Sequence, residues 1–98
     1  MVQVNVKFVG SLAGLTGKQS TVLHLNTDQK PTILSLIKLL GEKFGKEVEK
    51  RIVDYGDGKP RLRVLILKND VEINVLKGLD TFIDENDVVV LIPVSHGG

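Results

Sequence analysis

Residues Val2 to Phe8 read V-Q-V-N-V-K-F, with Val2, Val4, Val6 and Phe8 on one face and Gln3, Asn5 and Lys7 on the other. That period of two predicts a half-buried strand. Gly10 to Ser20, with three glycines and small polar residues, predicts a loop, and Thr21 to Leu25 a shorter strand pairing antiparallel with the first. The period then changes. Ile33, Ile37, Leu40 and Phe44 recur at helical spacing, widened by Leu34, Leu36 and Leu39, after a Pro31-Thr32 start signal. Gly45 marks a stop, and Lys46 to Asp54 predicts a second helical piece with Val48 and Ile52 on one side.

Beyond the turn cluster Tyr55 to Pro60, Leu62 to Lys68 predicts a strand, Asn69-Asp70 a tight hairpin, and Val71 to Asn74 the returning strand. Lys77 to Asp80 and Asp84 to Asp87 read as loops around Phe82 and Ile83. Val88 to Ile92 is a continuous apolar run, the pattern of a strand covered on both sides. The order strand, strand, helix, strand, strand, strand predicts a two-layer α+β domain. One main helix packs on one face of a mixed four- to five-stranded sheet. The most apolar strands, first and last, belong side by side at its centre and run parallel. That is the β-grasp arrangement, assigned to residues 1–94 with 95–98 as a tail.

Composition narrows the chemistry. Of 98 residues, 35 are Val, Leu or Ile, which predicts a folded core. Thirteen Lys and Arg against 12 Asp and Glu leave a net charge of +1, so no strong field draws in nucleic acid or an acidic membrane. Four aromatics without Trp argue against a base-stacking surface. The absence of cysteine excludes disulfides, Cys-ligated zinc and a thiol nucleophile. The N-terminal residues alternate rather than forming an apolar run, so a cytoplasmic domain is expected.

Candidate sites fail one by one. Gly10 to Gln19 resembles a phosphate loop, but Leu12 stands where glycine is needed and Gln19 where Ser or Thr would bind magnesium. His24, with no second histidine or acid at ligand spacing, reads as a surface or interface side chain rather than a catalytic base. Asp80, Asp84, Glu85 and Asp87 lack EF-hand spacing and read as a solvated turn. Lys59, Arg61 and Arg63 form a modest basic cluster, suited to an acidic partner loop or simply to a charged edge strand.

The C-terminus remains: Leu91-Ile-Pro-Val-Ser-His96-Gly97-Gly98. Pro93 should loosen the sheet, and two glycines leave the α-carboxylate on a stalk without side chains. A frayed end is the plain alternative. Following a buried central strand, however, the stalk suits a carboxylate delivered into another protein's active site. Once adenylated with ATP, the Gly98 carbonyl becomes open to a sulfur or amine nucleophile. The residues offer no nucleophile, metal or phosphate site for those steps, so the catalysts are partners. No bound cofactor is expected, and ATP is used by the partner.

A second element comes from pattern. Leu65 and Leu67 are opposite in phase to Val64 and Ile66, and the last strand is apolar in both phases. Some of these residues must face away from the helix, which usually marks a partner surface; a covering loop or strand is the alternative. Pattern alone does not set the phase. The set assigned to the partner is Leu65, Leu67, Val89 and Leu91.

This order of elements and the closing Gly97-Gly98 resemble the ubiquitin-like sulfur carriers. That group includes the small subunit of molybdopterin synthase, the thiamine sulfur carrier and the ubiquitin-related modifier. Pro31-Thr32, Leu65 to Asp70, Gly78-Leu-Asp80 and Asp87-Val-Val stand where the group has matching elements. Ser95-His96-Gly97-Gly98 looks more like the ubiquitin-related modifier, and Pro93-Val94 more like the molybdopterin synthase subunit. Small archaeal modifier proteins mix both features.

The resemblance implies adenylation of Gly98 by an E1-like activating enzyme docked on the outer sheet face, then a thiocarboxylate. Its sulfur would serve a tRNA thiolation enzyme or the large subunit of molybdopterin synthase. It also implies isopeptide conjugation to lysines of target proteins, and the chain itself has ten lysines. Two alternatives are a dedicated molybdopterin synthase subunit and a β-grasp interaction module with an incidental tail.

Overall fold

The opening alternation forms strand β1 (Val2–Phe8), with Val4, Val6 and Phe8 buried. The structure is a computed structural model that describes residues 1–26 and 28–94. Along the chain follow α1 (Ser11–Thr16), β2 (Ser20–Leu25), α2 (Ile33–Phe44), α3 (Lys46–Ile52), β3 (Val53–Asp54), β4 (Arg61–Leu62), β5 (Val64–Lys68), β6 (Val71–Glu72) and β7 (Asp87–Pro93). Five strands form one mixed sheet in the order β2-β1-β7-β5-β6, and β3 pairs with β4 separately. β1 and β7 lie side by side and parallel, with Val6 opposite Val89, as the apolar patterns predict. This is the β-grasp, ubiquitin-like fold.

Local signals place α2. Thr32 Oγ1 accepts from the Ser35 amide at 3.2 Å, and Ser35 Oγ accepts from the Thr32 amide at 2.8 Å. This reciprocal cap satisfies two N–H groups that the first turn leaves unpaired. Ile33, Leu36, Ile37 and Leu40 are fully buried against the sheet. Phe44, at the far end, meets Phe8 edge-on with ring centroids 5.7 Å apart. Gly41 is a poor helix former, yet here it lets α3 approach. A methyl group at 41 would lie 2.9 Å from Glu49 Cβ.

Three local expectations are corrected. Gly10 to Ser20 is not a plain loop. It contains α1, a short helix held because Leu12 enters the core and Thr16 Oγ1 donates to the Leu12 carbonyl at 2.9 Å. Leu62 to Lys68 is not one strand. The Arg63 amide donates to the Ile52 carbonyl at 2.8 Å, which divides β4 from β5. The strand after the hairpin stops at Glu72, whose side chain accepts from the Asn74 amide and starts a 3-10 turn (Ile73–Val75) that buries Ile73. No described helix is long and apolar enough to cross a membrane.

Candidate functional site

β7 has strands on both sides, and its residues divide by parity. Asp87, Val89 and Leu91 point into the core, where Val89 and Leu91 are 0% exposed. Val88, Val90 and Ile92 are half-buried on the opposite, helix-free face. On neighbouring β5, Val64 and Ile66 are buried while Leu65 and Leu67 are half-buried, with Leu65 opposite Ile92 and Leu67 opposite Val90. The outer face therefore presents Leu65, Leu67, Val88, Val90 and Ile92 as one aliphatic block. Asn5 and Lys7 of β1 border it, opposite Val88 and Val90.

This corrects the sequence assignment for two residues. Val89 and Leu91 cannot be partner contacts, because both are fully buried in the core that α2 closes. Their neighbours in the opposite phase take the outward positions. Leu65 and Leu67 are on the outer face.

The start of β7 is fixed by polar groups. Asp87 is 6% exposed, and its carboxylate accepts from Asn69 Nδ2 at 2.8 Å and from the Asp84 amide at 2.7 Å. Lys68 Nζ lies 3.3 Å from the Asp87 carboxylate and 3.3 Å from that of Asp84, and donates to the Phe82 carbonyl at 2.7 Å. Lys30 completes the group 2.8 Å from Asp84. Hydrogen bonds from Lys30 and Lys68 hold the Asp84 carboxyl below the usual carboxylate range. The hairpin residues Asn69 and Asp70, both at positive φ, bring the Asn69 side chain onto β7, where its Oδ1 accepts from the Val88 amide at 2.8 Å. So the acidic run is more than a solvated turn: Asp84 and Asp87 clasp the beginning of the central strand. Among the described residues, no cluster of His, Asp or Glu is placed to hold a metal ion.

At its other end, β7 leaves the sheet. Pro93 does not loosen it early, since it is still paired with Val64, and Val94 follows at 47% exposure. A cleft of about 170 Å³ opens at this root, lined by Ser11, Leu12, Arg51, Arg63, Val64, Pro93 and Val94. The expected basic cluster is split here. Arg61 pairs with Asp57 at 2.8 Å, while Arg63 lines the cleft with Arg51 from α3, a residue whose sequence position gave no hint of this role. Lys59 is exposed in the preceding turn, and His24 is exposed on β2. His96, Gly97 and Gly98 lie outside the described residues.

Comparison with known proteins supports one reading of this geometry. The family described as Urm1 (Ubiquitin related modifier) matches residues 3–98. Small archaeal modifier protein 3 of Haloferax volcanii is 25% identical over 97 residues, covering 99% of this chain and all of that protein. The solution structure of Urm1 from Trypanosoma brucei superposes with a TM-score of 0.76 at 27% identity, covering 98% of this chain and 95% of that one. The small archaeal modifier protein 1 of Methanosarcina acetivorans reaches a TM-score of 0.81 at 24% identity, over 100% and 98% of the two chains, and shows the shared fold. The chain thus belongs to the ubiquitin-related modifier family, whose members are ubiquitin-like carriers and modifiers rather than catalysts.

Proposed function

We propose that this chain is a sulfur carrier and protein modifier whose reacting group is the carboxylate of Gly98. The observation that carries the reading is the position of β7: clasped at Asp87, paired on both sides, and leading into the Gly-Gly sequence. Val94, the last described residue, follows directly on the central strand, so a partner that grips the outer face is also close to the point from which residues 95–98 continue.

The partner is an E1-like activating enzyme that holds ATP. The Gly98 carboxylate attacks the α-phosphorus, pyrophosphate leaves, and an acyl-adenylate forms. A persulfide sulfur on the enzyme side attacks the carbonyl and AMP departs. A thiol of that partner then reduces the S–S bond, releasing a thiocarboxylate. This sulfur is passed to tRNA or to a molybdopterin precursor. A lysine amine attacking the activated carbonyl gives an isopeptide bond to a target protein instead. The absence of side chains at Gly97 and Gly98 allows close backbone approach in a narrow channel. Leu65, Leu67, Val88, Val90 and Ile92 supply the apolar contact, and His96 precedes the glycines in the entering segment.

Incubation with the activating enzyme of the same cell, ATP and a sulfur donor should raise the intact mass by about 16 units, as sulfur replaces oxygen. An unchanged mass would overturn the proposal. Removal of Gly97 and Gly98 should abolish the product and leave the melting temperature unchanged.

A further inference from the structure

The sheet has two free edges, and they differ. β6 is two residues long and ends in the 3-10 turn, so it offers little backbone to a newcomer. β2 is six residues long, Ser-Thr-Val-Leu-His-Leu, with no charged residue, proline or glycine to discourage pairing. Its hydrogen-bond parity follows from its neighbour. The Phe8 amide donates to the Gln19 carbonyl at 2.9 Å, and the same register pairs Val6 with Thr21 and Val4 with Leu23. In an antiparallel ladder, Thr21, Leu23 and Leu25 therefore bond to β1. The N–H and C=O groups of Ser20, Val22 and His24 point away from the sheet, and no described residue bonds them. Beside this edge, between β2 and α2, lies a groove of about 370 Å³ with Leu25, Leu39 and the Lys38 stem at its apolar part and His24, Asn26, Ser35 and Glu42 around them.

We infer that the β2 edge and the adjoining groove form a second binding site, for an extended peptide segment with aliphatic side chains at alternate positions and polar ones between. Such a segment adds a sixth strand, bonding to the outward groups of Ser20, Val22 and His24. Its aliphatic side chains enter the groove against Leu25 and Leu39, and its polar ones stay on the helix-free face beside exposed Val22. A second copy of this chain fits poorly. Its own inner-face residues, Leu23 and Leu25, are already buried and cannot fill a neighbour's groove. A six-residue ladder about 20 Å long and about 10 Å thick covers about 200 Å² per copy, well below the roughly 800 Å² per partner of a stable complex. The site is independent of Gly98 chemistry.

The test is an amide-resolved NMR titration with a synthetic peptide of about eight residues, valine or isoleucine alternating with threonine. Saturable shifts should concentrate in residues 20–26 and 35–42. Val22→Pro removes the outward N–H of residue 22 and no N–H that is bonded to β1, and should weaken binding at least about tenfold. Peptides keep the test independent of that variant's folding. N-methylation at positions facing β2 should abolish binding, and at the alternate positions should not. The proposal fails if residues 20–26 do not respond at millimolar peptide, or if both N-methylated peptides bind alike. It also fails if sedimentation shows a concentration-dependent dimer that Val22→Pro abolishes, since the edge would then serve a second copy.

Discussion

The two phases of β7 are built from the same kind of residue and do different work. Val89 and Leu91 are sealed in the core, while Val88, Val90 and Ile92, one position away, form the aliphatic block on the open face with Leu65 and Leu67. Side-chain chemistry does not separate them; only the side on which α2 packs does. The inner phase is a stability element and begins with Asp87, the clasp residue. The outer phase is apolar surface that folding leaves partly in contact with water, which is why it is the surface proposed above for a partner. Under the proposed function, one strand then serves both as the spine of the domain and as part of its address.

The contrast can be tested by substitution. Leu91→Ala, in the inner phase, should cost the most, about 2–5 kcal/mol of stability, because it leaves a cavity among fully buried neighbours; chemical denaturation measures it. A loss as small as that of an outer-phase change would erase the distinction. Asp87→Ala should cost about 1–3 kcal/mol, since it strips partners from Asn69, Lys68 and the Asp84 amide in a largely buried position. Amide exchange should then quicken at Val88 and Asn69 before it does at Leu91.

Asp84 sharpens the picture through pH. Its folded pKa lies below the unfolded value of about 4. Its contribution is therefore complete above that pH and is lost as pH falls through the depressed value. Melting temperature should decline in acid, less steeply in Asp84→Asn, with a modest effect because the pair is exposed. Val90→Thr, in the outer phase, should change stability least, by about 0.5 kcal/mol. It should nonetheless weaken binding to the activating enzyme by about tenfold, as read by calorimetry. Equal stability with unchanged affinity would remove the outer phase from the interface.

Much of the fold was legible because its signals are local. Alternation in Val2–Phe8, the helical stripe from Ile33 to Phe44 and the Asn69-Asp70 turn each depend on a few neighbouring residues and one period. The exchange between Thr32 and Ser35 is local as well. α1 was not legible, because a glycine-rich segment with weak propensity is helical here only through Leu12 reaching the core. The cleft beside Pro93 and Val94 brings together Arg51 of α3 and Arg63 of the turn before β5, residues that no spacing rule connects.

By itself, the sequence determined that β1 has one apolar face, that one helix covers the sheet, that the most apolar strands lie together at its centre, and that Gly97-Gly98 follows the last of them. Each follows from composition or from a periodicity that the chain carries locally. Only the tertiary structure decided which phase of β7 faces outward, that Asp87 is buried as a clasp, and which backbone groups of β2 remain free. A run apolar in both phases has no period to orient it, and a strand's free edge exists only once its other edge is paired.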